Sequence, residues 1–448
     1  MTLKDISVFG LGKLGSPLAI TLAARGFRVV GVDRDPKKVD AIQSGEPPVF
    51  EPGLVDMLAH AKGRLTATLD GSDAVLRTDV TFIIVPTPSE DDGSFSLEFA
   101  LEACETIGKA ISTKDEFHLV VVTSTVMPGS TGGPIRAALE ATSRKVAGRD
   151  FGLCYNPEFI ALGSVVRDLL NPDFVLIGES DPESGAALSE IYETLCENDP
   201  PIARLNYVNA ELAKLAVNTF VTTKISFANM IAQMCERLPD ADVDEVTSAV
   251  GLDSRIGKKY LKGGIAFGGP CFPRDNHALI SLAAKIGAPA HIAEATFQFN
   301  DLATRLLADL VVSRKTDGGQ VAILGLAYKP NTDVVERSQG LLLAQALIDQ
   351  GIEVSVYDPS AMESARGLLP GADLAANISE CVDGADVVVI TTPWDDFRGL
   401  DSELSRGTTK PGSVIDCWGI LDPEQVRTFA EYIAPGVGPS GVPVGEIA

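Results

Sequence analysis

Short runs rich in Val and Ile alternate with segments of helical period in the first part of the chain. Residues 6–10 (ISVFG), 27–33 (FRVVGVD), 80–88 (VTFIIVPTP) and 118–126 (HLVVVTSTV) read as strands, and residues 16–25 as a helix between the first two. Apolar runs of this kind, separated by helices, predict a parallel sheet covered on both faces. From about 201 to 300 the pattern becomes long helical periodicity, with Leu212, Leu215, Ala216 and Phe220 recurring at helix spacing. From 320 the first rhythm returns in QVAILGLAYK, IEVSVYDP and ADVVVITTPW. Gly10, Asp33 and Pro86 mark three stations in the first copy, and Gly325, Asp358 and Pro393 mark them in the second. The expectation is an α/β chain of two Rossmann-like doubly wound domains joined by a helical middle domain, with boundaries at 1–200, 201–300 and 301–448. The Gly- and Pro-rich end, PGVGPSGVPVGEIA, reads as a loose tail.

Composition fits that picture. A length of 448 residues suits two or three domains, and 45% hydrophobic with 22% charged residues is a globular profile. The formal net charge of −24 argues against a general nucleic-acid or anionic-membrane surface, so an anionic ligand needs a local cluster of cations. No signal peptide or membrane span is read, and a cytoplasmic location is expected. The seven cysteines (104, 154, 196, 235, 271, 381, 417) include no CxxC pair, and the four histidines no HxxxH or HExxH spacing. Neither a disulfide framework nor a metal site is expected.

Gly10-Leu-Gly12-Lys-Leu-Gly15 follows a strand and opens a helix, and Asp33 ends the next strand, 18 residues after Gly15. In this context the glycines permit a tight turn, close approach to a pyrophosphate, and helix–strand packing, while Asp33 can accept from a ribose 2′-hydroxyl. Asp33 opposes a 2′-phosphate and favours NAD, whereas Arg34 beside it works the other way. Pro86-Thr87-Pro88 and Ser124-Thr125 end later strands at the carboxyl edge, where such sheets bind ligands; ordinary turn chemistry is the alternative. Glu211, Lys214 and Asn218 share one helix face among apolar neighbours, either as a solvated stripe or facing a cleft. Arg255, Lys258, Lys259 and Lys262 place four cations in eight residues, either a solvated helix face or a focus for an anion.

The last of these cations leads into GGIAFGGPCFPRD, residues 263–275. Cys104, Cys235 and Cys381 read as small buried hydrophobes. Cys271 differs, because its glycines clear room for a substrate and its prolines stiffen the backbone around the thiol. Beside a hydride acceptor, a nucleophilic thiol can trap an aldehyde as a thiohemiacetal so that a second hydride can leave.

The motifs together resemble the nucleotide-sugar 6-dehydrogenase family. The likeness rests on the GxGxxG start, STVMPGST at 124–131, NPEF at 156–159, the ExxKxxxN helix at 211–218, RIG at 255–257, GGPCFPRD at 268–275 and AYKPNTD at 327–333, and so spans nearly the whole chain. It implies a four-electron oxidation of a sugar C6 alcohol to a carboxylate with two NAD⁺ and one water. By the same likeness Cys271 is the nucleophile, Lys214 and Asn218 stabilise an oxyanion, and Asp275, Thr125 and Glu158 share water positioning and proton transfer. Gly10, Gly12, Leu14, Gly15, Asp33, Lys38, Pro86, Thr87, Ser124, Thr125 and Arg337 fall at the cofactor. Glu158, Phe159, Ile160, Lys214, Asn218, Arg255, Tyr260, Lys262, Phe267, Gly268, Tyr328 and Lys329 fall at the substrate, with Arg255 reaching that of a neighbouring subunit. The second α/β domain would bind a UDP portion, and the helical domain would form a homodimer or part of a larger homo-oligomer.

Some positions depart from the family pattern: Pro270 for Ser, Arg274 for Lys, Leu162 for a Glu, and Glu336-Arg337-Ser338 for Arg-Glu-Ser. UDP-glucose is the expected substrate, giving UDP-glucuronate for polysaccharide synthesis, with GDP-mannose and UDP-N-acetylhexosamine as alternatives. A single-hydride β-hydroxyacid dehydrogenase shares the opening but needs no nucleophilic Cys. A nucleotide-sugar sensor without activity would not need Lys214, Asn218, Cys271 and Asp275.

Overall fold

A computed structural model describes residues 3–406 and 410–439. The chain divides into two compact units, Met1–Ala216 and Val217–Ala448.

The first unit is built on eight strands: β1 (Asp5–Phe9), β2 (Arg28–Val32), β3 (Leu65–Thr68), β4 (Val80–Ile83), β5 (Leu119–Val122), β6 (Gly152–Tyr155), β7 (Val175–Glu179) and β8 (Ile202–Leu205). Their order is β3-β2-β1-β4-β5-β6-β7-β8. All pair in parallel except β6 with β7. Every residue of β4 and β5 is buried, as the continuous apolar runs require of a sheet with helices on both faces. Order reverses between β1 and β4, and a doubly wound sheet binds ligands at the carboxyl ends of the strands beside such a point. Residues 202–205 lie within the stretch read as helical, but pair with β7 as a partly exposed edge strand. Four residues are too few for periodicity to separate strand from helix.

The second unit repeats the plan with β9 (Gln320–Leu324), β10 (Val354–Tyr357), β11 (Ala372–Leu374), β12 (Ala385–Ile390), β13 (Ser413–Asp416) and β14 (Glu431–Ile433), all parallel, in the order β11-β10-β9-β12-β13-β14. This is the order of β1–β6, and the echo extends to atoms. A Cβ on Gly15 would lie 1.8 Å from the Gly10 carbonyl oxygen, and one on Gly340 would lie 1.9 Å from that of Gly325. Asp33 accepts from Leu11 N–H at 2.7 Å and Asp358 from Leu326 N–H at 2.7 Å. The copies then diverge: Asp358 is buried and accepts also from the N–H groups of Ala327, Ser360 and Ala361 and from Trp394 Nε1. With every lone pair committed, it has no acceptor left for a ribose hydroxyl.

Helices Tyr207–Cys235, Val243–Val250, Phe272–Ile286 and His291–Arg314 supply the helical part, the first of them running from the first unit into the second. On that first helix Leu215 is buried, but Leu212, Phe220, Phe227 and Met234 are exposed, so part of its apolar pattern is surface. The cationic run 255–262 is an irregular loop rather than a helix. The chain end is not loose as far as it is described. Gly436 N–H donates to Glu236 at 3.0 Å, Gly436 C=O accepts from Val243, and Gly438 N–H donates to Ala241 C=O. Residues 440–448 of the expected tail lie outside the described residues.

Candidate active site

The glycine turn after β1 has the contacts its motif requires. Gly10 has φ +99°, and a Cβ there would lie 2.4 Å from the Ile84 carbonyl oxygen. Gly12 is the opposite case: a Cβ would meet nothing within 4 Å, so its backbone faces open space, as close approach of a pyrophosphate needs. Leu14 caps the helix Gly15–Ala24, which packs on the turn through Gly15. Beside this turn lies a cleft of about 460 Å³, lined by Gly10, Asp33, Lys38, Pro86 and Phe99 among others. Burial raises the Asp33 carboxyl, but the N–H groups of Asp35 and Leu11 and the Lys38 ammonium at 3.1 Å outweigh it and hold it below the usual carboxylate range. Asp33 is therefore an ionised acceptor at neutral pH, which fits a ribose hydroxyl.

At the ends of β4 and β5, Ser124 Oγ donates to Val85 C=O at 2.6 Å and Thr87 Oγ1 to Thr125 C=O at 2.8 Å, so both hydroxyls tie the two strand ends together. The following loop is held by Glu211, fully buried, whose carboxylate accepts from Gly129 N–H at 2.6 Å and Thr131 N–H at 2.7 Å. Glu211 thus belongs to no solvated stripe; it fixes the loop carrying Thr125.

Glu158 follows β6 and is partly buried. Desolvation pushes its carboxyl up from 4.5 to about 7, opposed by a hydrogen bond from Tyr192 Oη at 3.0 Å and by the Lys214 charge. Lys214 Nζ donates at 2.6 Å to the Glu158 backbone oxygen, not its carboxylate, and lies 4.6 Å from the Phe159 ring centroid. Phe159 stacks in turn on Phe174, and Ile160 packs against the sheet core. A carboxyl titrating near neutrality is suited to passing a proton in either direction.

In the second unit Cys271 is exposed whereas the other six cysteines are buried. It stands at the N-cap of Phe272–Ile286, where a thiolate meets the positive end of the helix dipole. Asp275, one turn on and 1% exposed, accepts from Asn218 Nδ2 at 2.6 Å through Oδ2. Its other oxygen takes no hydrogen bond from the described residues and faces Arg274 Nε at 3.7 Å, a buried acceptor able to hold a water. Lys214 and Asn218, 7% and 8% exposed, are withdrawn from solvent one helical turn apart on Tyr207–Cys235.

The loop's glycines serve close packing more than access. A Cβ on Gly268 would lie 2.2 Å from the Arg337 carbonyl oxygen, and one on Gly269, with φ +83°, 2.5 Å from the Tyr328 ring. Three amide side chains with no sequence signature also hold it. Asn229 bonds Gly264 N–H and Ile265 C=O, Asn300 bonds both backbone groups of Phe267, and Gln339 donates to Phe267 C=O. Arg255 is exposed and forks onto Asp253, Tyr260 is exposed with its ring edge-on to Phe272, and Lys262 donates to Trp418 C=O. Lys329 lies over the Tyr328 ring, and Arg337 stands near Asp301 and the Phe297 ring. Arg337 belongs to the second unit and the glycine turn to the first.

A Rossmann unit whose glycine turn lies beside the ionised Asp33 and, in the other unit, a cysteine at a helix N-terminus in a braced loop are parts of the kind a dinucleotide-dependent oxidoreductase needs. Residues 4–196, 208–302 and 322–423 match, in turn, the NAD binding, central and UDP binding domains of one family. A UDP-glucose 6-dehydrogenase of Haloferax volcanii is 39% identical over 404 residues, 89% of this chain and 94% of its own. A GDP-mannose 6-dehydrogenase of Pseudomonas putida is 34% identical over 432 residues, 93% of this chain and 96% of its own. The solved structure of a UDP-glucose dehydrogenase from Pyrobaculum islandicum superposes with a TM-score of 0.88 at 36% identity, covering 97% of this chain and 98% of that one. The chain belongs to the UDP-glucose/GDP-mannose dehydrogenase family. It is a nucleotide-sugar 6-dehydrogenase that uses NAD. Among the described residues no helix is long and apolar enough to cross a membrane.

Proposed function

We propose that the substrate is UDP-glucose and that its C6 alcohol is taken to the carboxylate through a thioester on Cys271. The sugar assignment is supported by the UDP-glucose 6-dehydrogenase relative and by the UDP binding domain match. The observation that carries the mechanism is the placement of Cys271, exposed at a helix N-terminus in a loop braced by Asn229, Asn300 and Gln339.

Bound NAD⁺ supplies a hydride acceptor for each of two oxidations. In the first, the C6 hydroxyl loses its proton to a base while hydride leaves C6, giving an aldehyde; Glu158, held at about 7, is suited to take the proton. The Cys271 thiolate then adds to the aldehyde carbon, forming a C–S bond and placing negative charge on oxygen. The Lys214 ammonium and the Asn218 amide supply charge and a donor for that oxyanion. Loss of the second hydride leaves the thioester. Water held by Asp275 attacks it, the C–S bond breaks, and carboxylate and free thiol result. One alcohol, one water and two NAD⁺ become one carboxylate, two NADH and three protons.

Gly10, Gly12, Leu14, Gly15, Asp33, Lys38 and Pro86 hold the cofactor, with Thr87, Ser124 and Thr125 fixing the adjoining strand ends. Phe267, Gly268, Tyr328 and Lys329 take the nucleotide-sugar side. Asp358 fits this division, since its saturated carboxylate leaves the second Rossmann-like fold without a ribose reader of the first kind. We further propose a cytoplasmic homodimer formed through the exposed apolar residues of the helical part, such as Phe220 and Phe227, with Arg255 directed toward the partner's substrate. Steady-state rates with UDP-glucose, GDP-mannose and UDP-N-acetylglucosamine test the sugar assignment. A kcat/KM for UDP-glucose at least tenfold above the others is expected, and a higher value for either rival would overturn it.

A further inference from the structure

The cleft beside the glycine turn holds two opposite charge pairs. Asp33 accepts from Lys38 at 3.1 Å, and Arg34 Nη2 donates to Glu102 Oε2 at 3.0 Å. All four residues line the cleft. The Arg34 guanidinium also lies 4.9 Å from the centroid of Phe99, which comes from the same helix as Glu102, Glu98–Ser112. Arg34 directly follows the ribose-reading aspartate, where a cation would serve a cofactor carrying a 2′-phosphate. Here it is already matched in charge by Glu102 and laid against Phe99. A 2′-phosphate, with close to two negative charges, would therefore meet Asp33 and Glu102 with no cation left in excess.

We propose that Glu102 is a specificity-determining residue: by holding Arg34 it makes the cleft refuse NADP, a task that sequence alone gives to Asp33. Removing the Glu102 charge leaves one unmatched cation beside the ribose site. A charge-assisted contact from a released guanidinium to phosphate then raises NADP⁺ affinity by about tenfold. The gain depends on Arg34, because Lys38 stays with Asp33.

The test is calorimetric titration of the full-length protein, without nucleotide sugar, with NADP⁺ and NAD⁺. Glu102→Gln should bind NADP⁺ about tenfold more tightly than the native protein, and Glu102→Gln/Arg34→Ala should return to the native value or weaker. Glu102→Ala, which removes the same charge from an exposed helix position, should repeat the gain and guards against a fault peculiar to Gln. Unchanged NADP⁺ affinity in both single variants would overturn the proposal. So would a gain that survives loss of Arg34.

Discussion

Glu158→Gln isolates the cost of a carboxylate in partly desolvated surroundings. Among the described residues the carboxyl takes one hydrogen bond, from Tyr192, while the Lys214 ammonium donates to the backbone oxygen instead. Burial consequently wins and holds the group at about 7 rather than 4.5. The folded protein grips this proton more tightly than the unfolded chain does. The group therefore favours folding below 4.5, and that contribution is lost as pH rises through about 7. At about 1.4 kcal/mol per tenfold in proton affinity, the whole loss is about 3 kcal/mol, most of it between pH 5 and pH 8. Gln keeps the shape and cannot ionise. Urea unfolding of both full-length proteins at pH 5, 6, 7 and 8 should show the variant gaining about 2–3 kcal/mol on the native protein across the series. A constant difference from pH 5 to pH 8 would show that Glu158 does not titrate in this range in the folded protein. If Glu158 also takes the alcohol proton, native kcat should rise through a limb near pH 7 that is missing from the variant.

Other expectations follow from single contacts. Gly15→Ala would push a Cβ to 1.8 Å from the Gly10 carbonyl oxygen, and should cost at least about 3 kcal/mol in urea unfolding and weaken NAD⁺ binding. Glu211→Ala strands the buried N–H of Thr131 and frees the N–H of the more exposed Gly129, and should cost about 1–3 kcal/mol, read by thermal unfolding. Asn300→Ala releases the Phe267 N–H and leaves the Phe267 C=O to Gln339 alone, and should lower kcat about tenfold or more with a smaller change in NAD⁺ affinity measured by titration.

The parts legible in the sequence were those with local signatures. Buried parallel strands announce themselves as apolar runs, and the glycine turn by three fixed positions and one acid. Cys271 stood out because so many residues without ordinary side-chain freedom surround it. The braces of that loop left no trace, since Asn229, Asn300 and Gln339 reach backbone groups 33 to 72 residues away, where no short pattern can record the pairing. Glu211 shows a subtler failure: spacing placed it on a face with Lys214 and Asn218, yet its partners are backbone N–H groups of a distant loop. Asp33 and Asp358 occupy equivalent stations, and only the extra donors around Asp358 distinguish a saturated strut from an acid with acceptor capacity to spare. Periodicity on Tyr207–Cys235 likewise marked apolar positions without separating the buried Leu215 from the exposed Phe220.

The proposed mechanism has one cysteine carry the sugar between two oxidations. Its most direct test is to supply a limiting amount of UDP-glucose with excess NAD⁺ and count the NADH formed per sugar consumed. Two NADH per sugar for the native protein, and loss of turnover in Cys271→Ala, are the predicted results. One NADH per sugar with aldehyde released by the native protein, or full two-NADH turnover by Cys271→Ala, would contradict it.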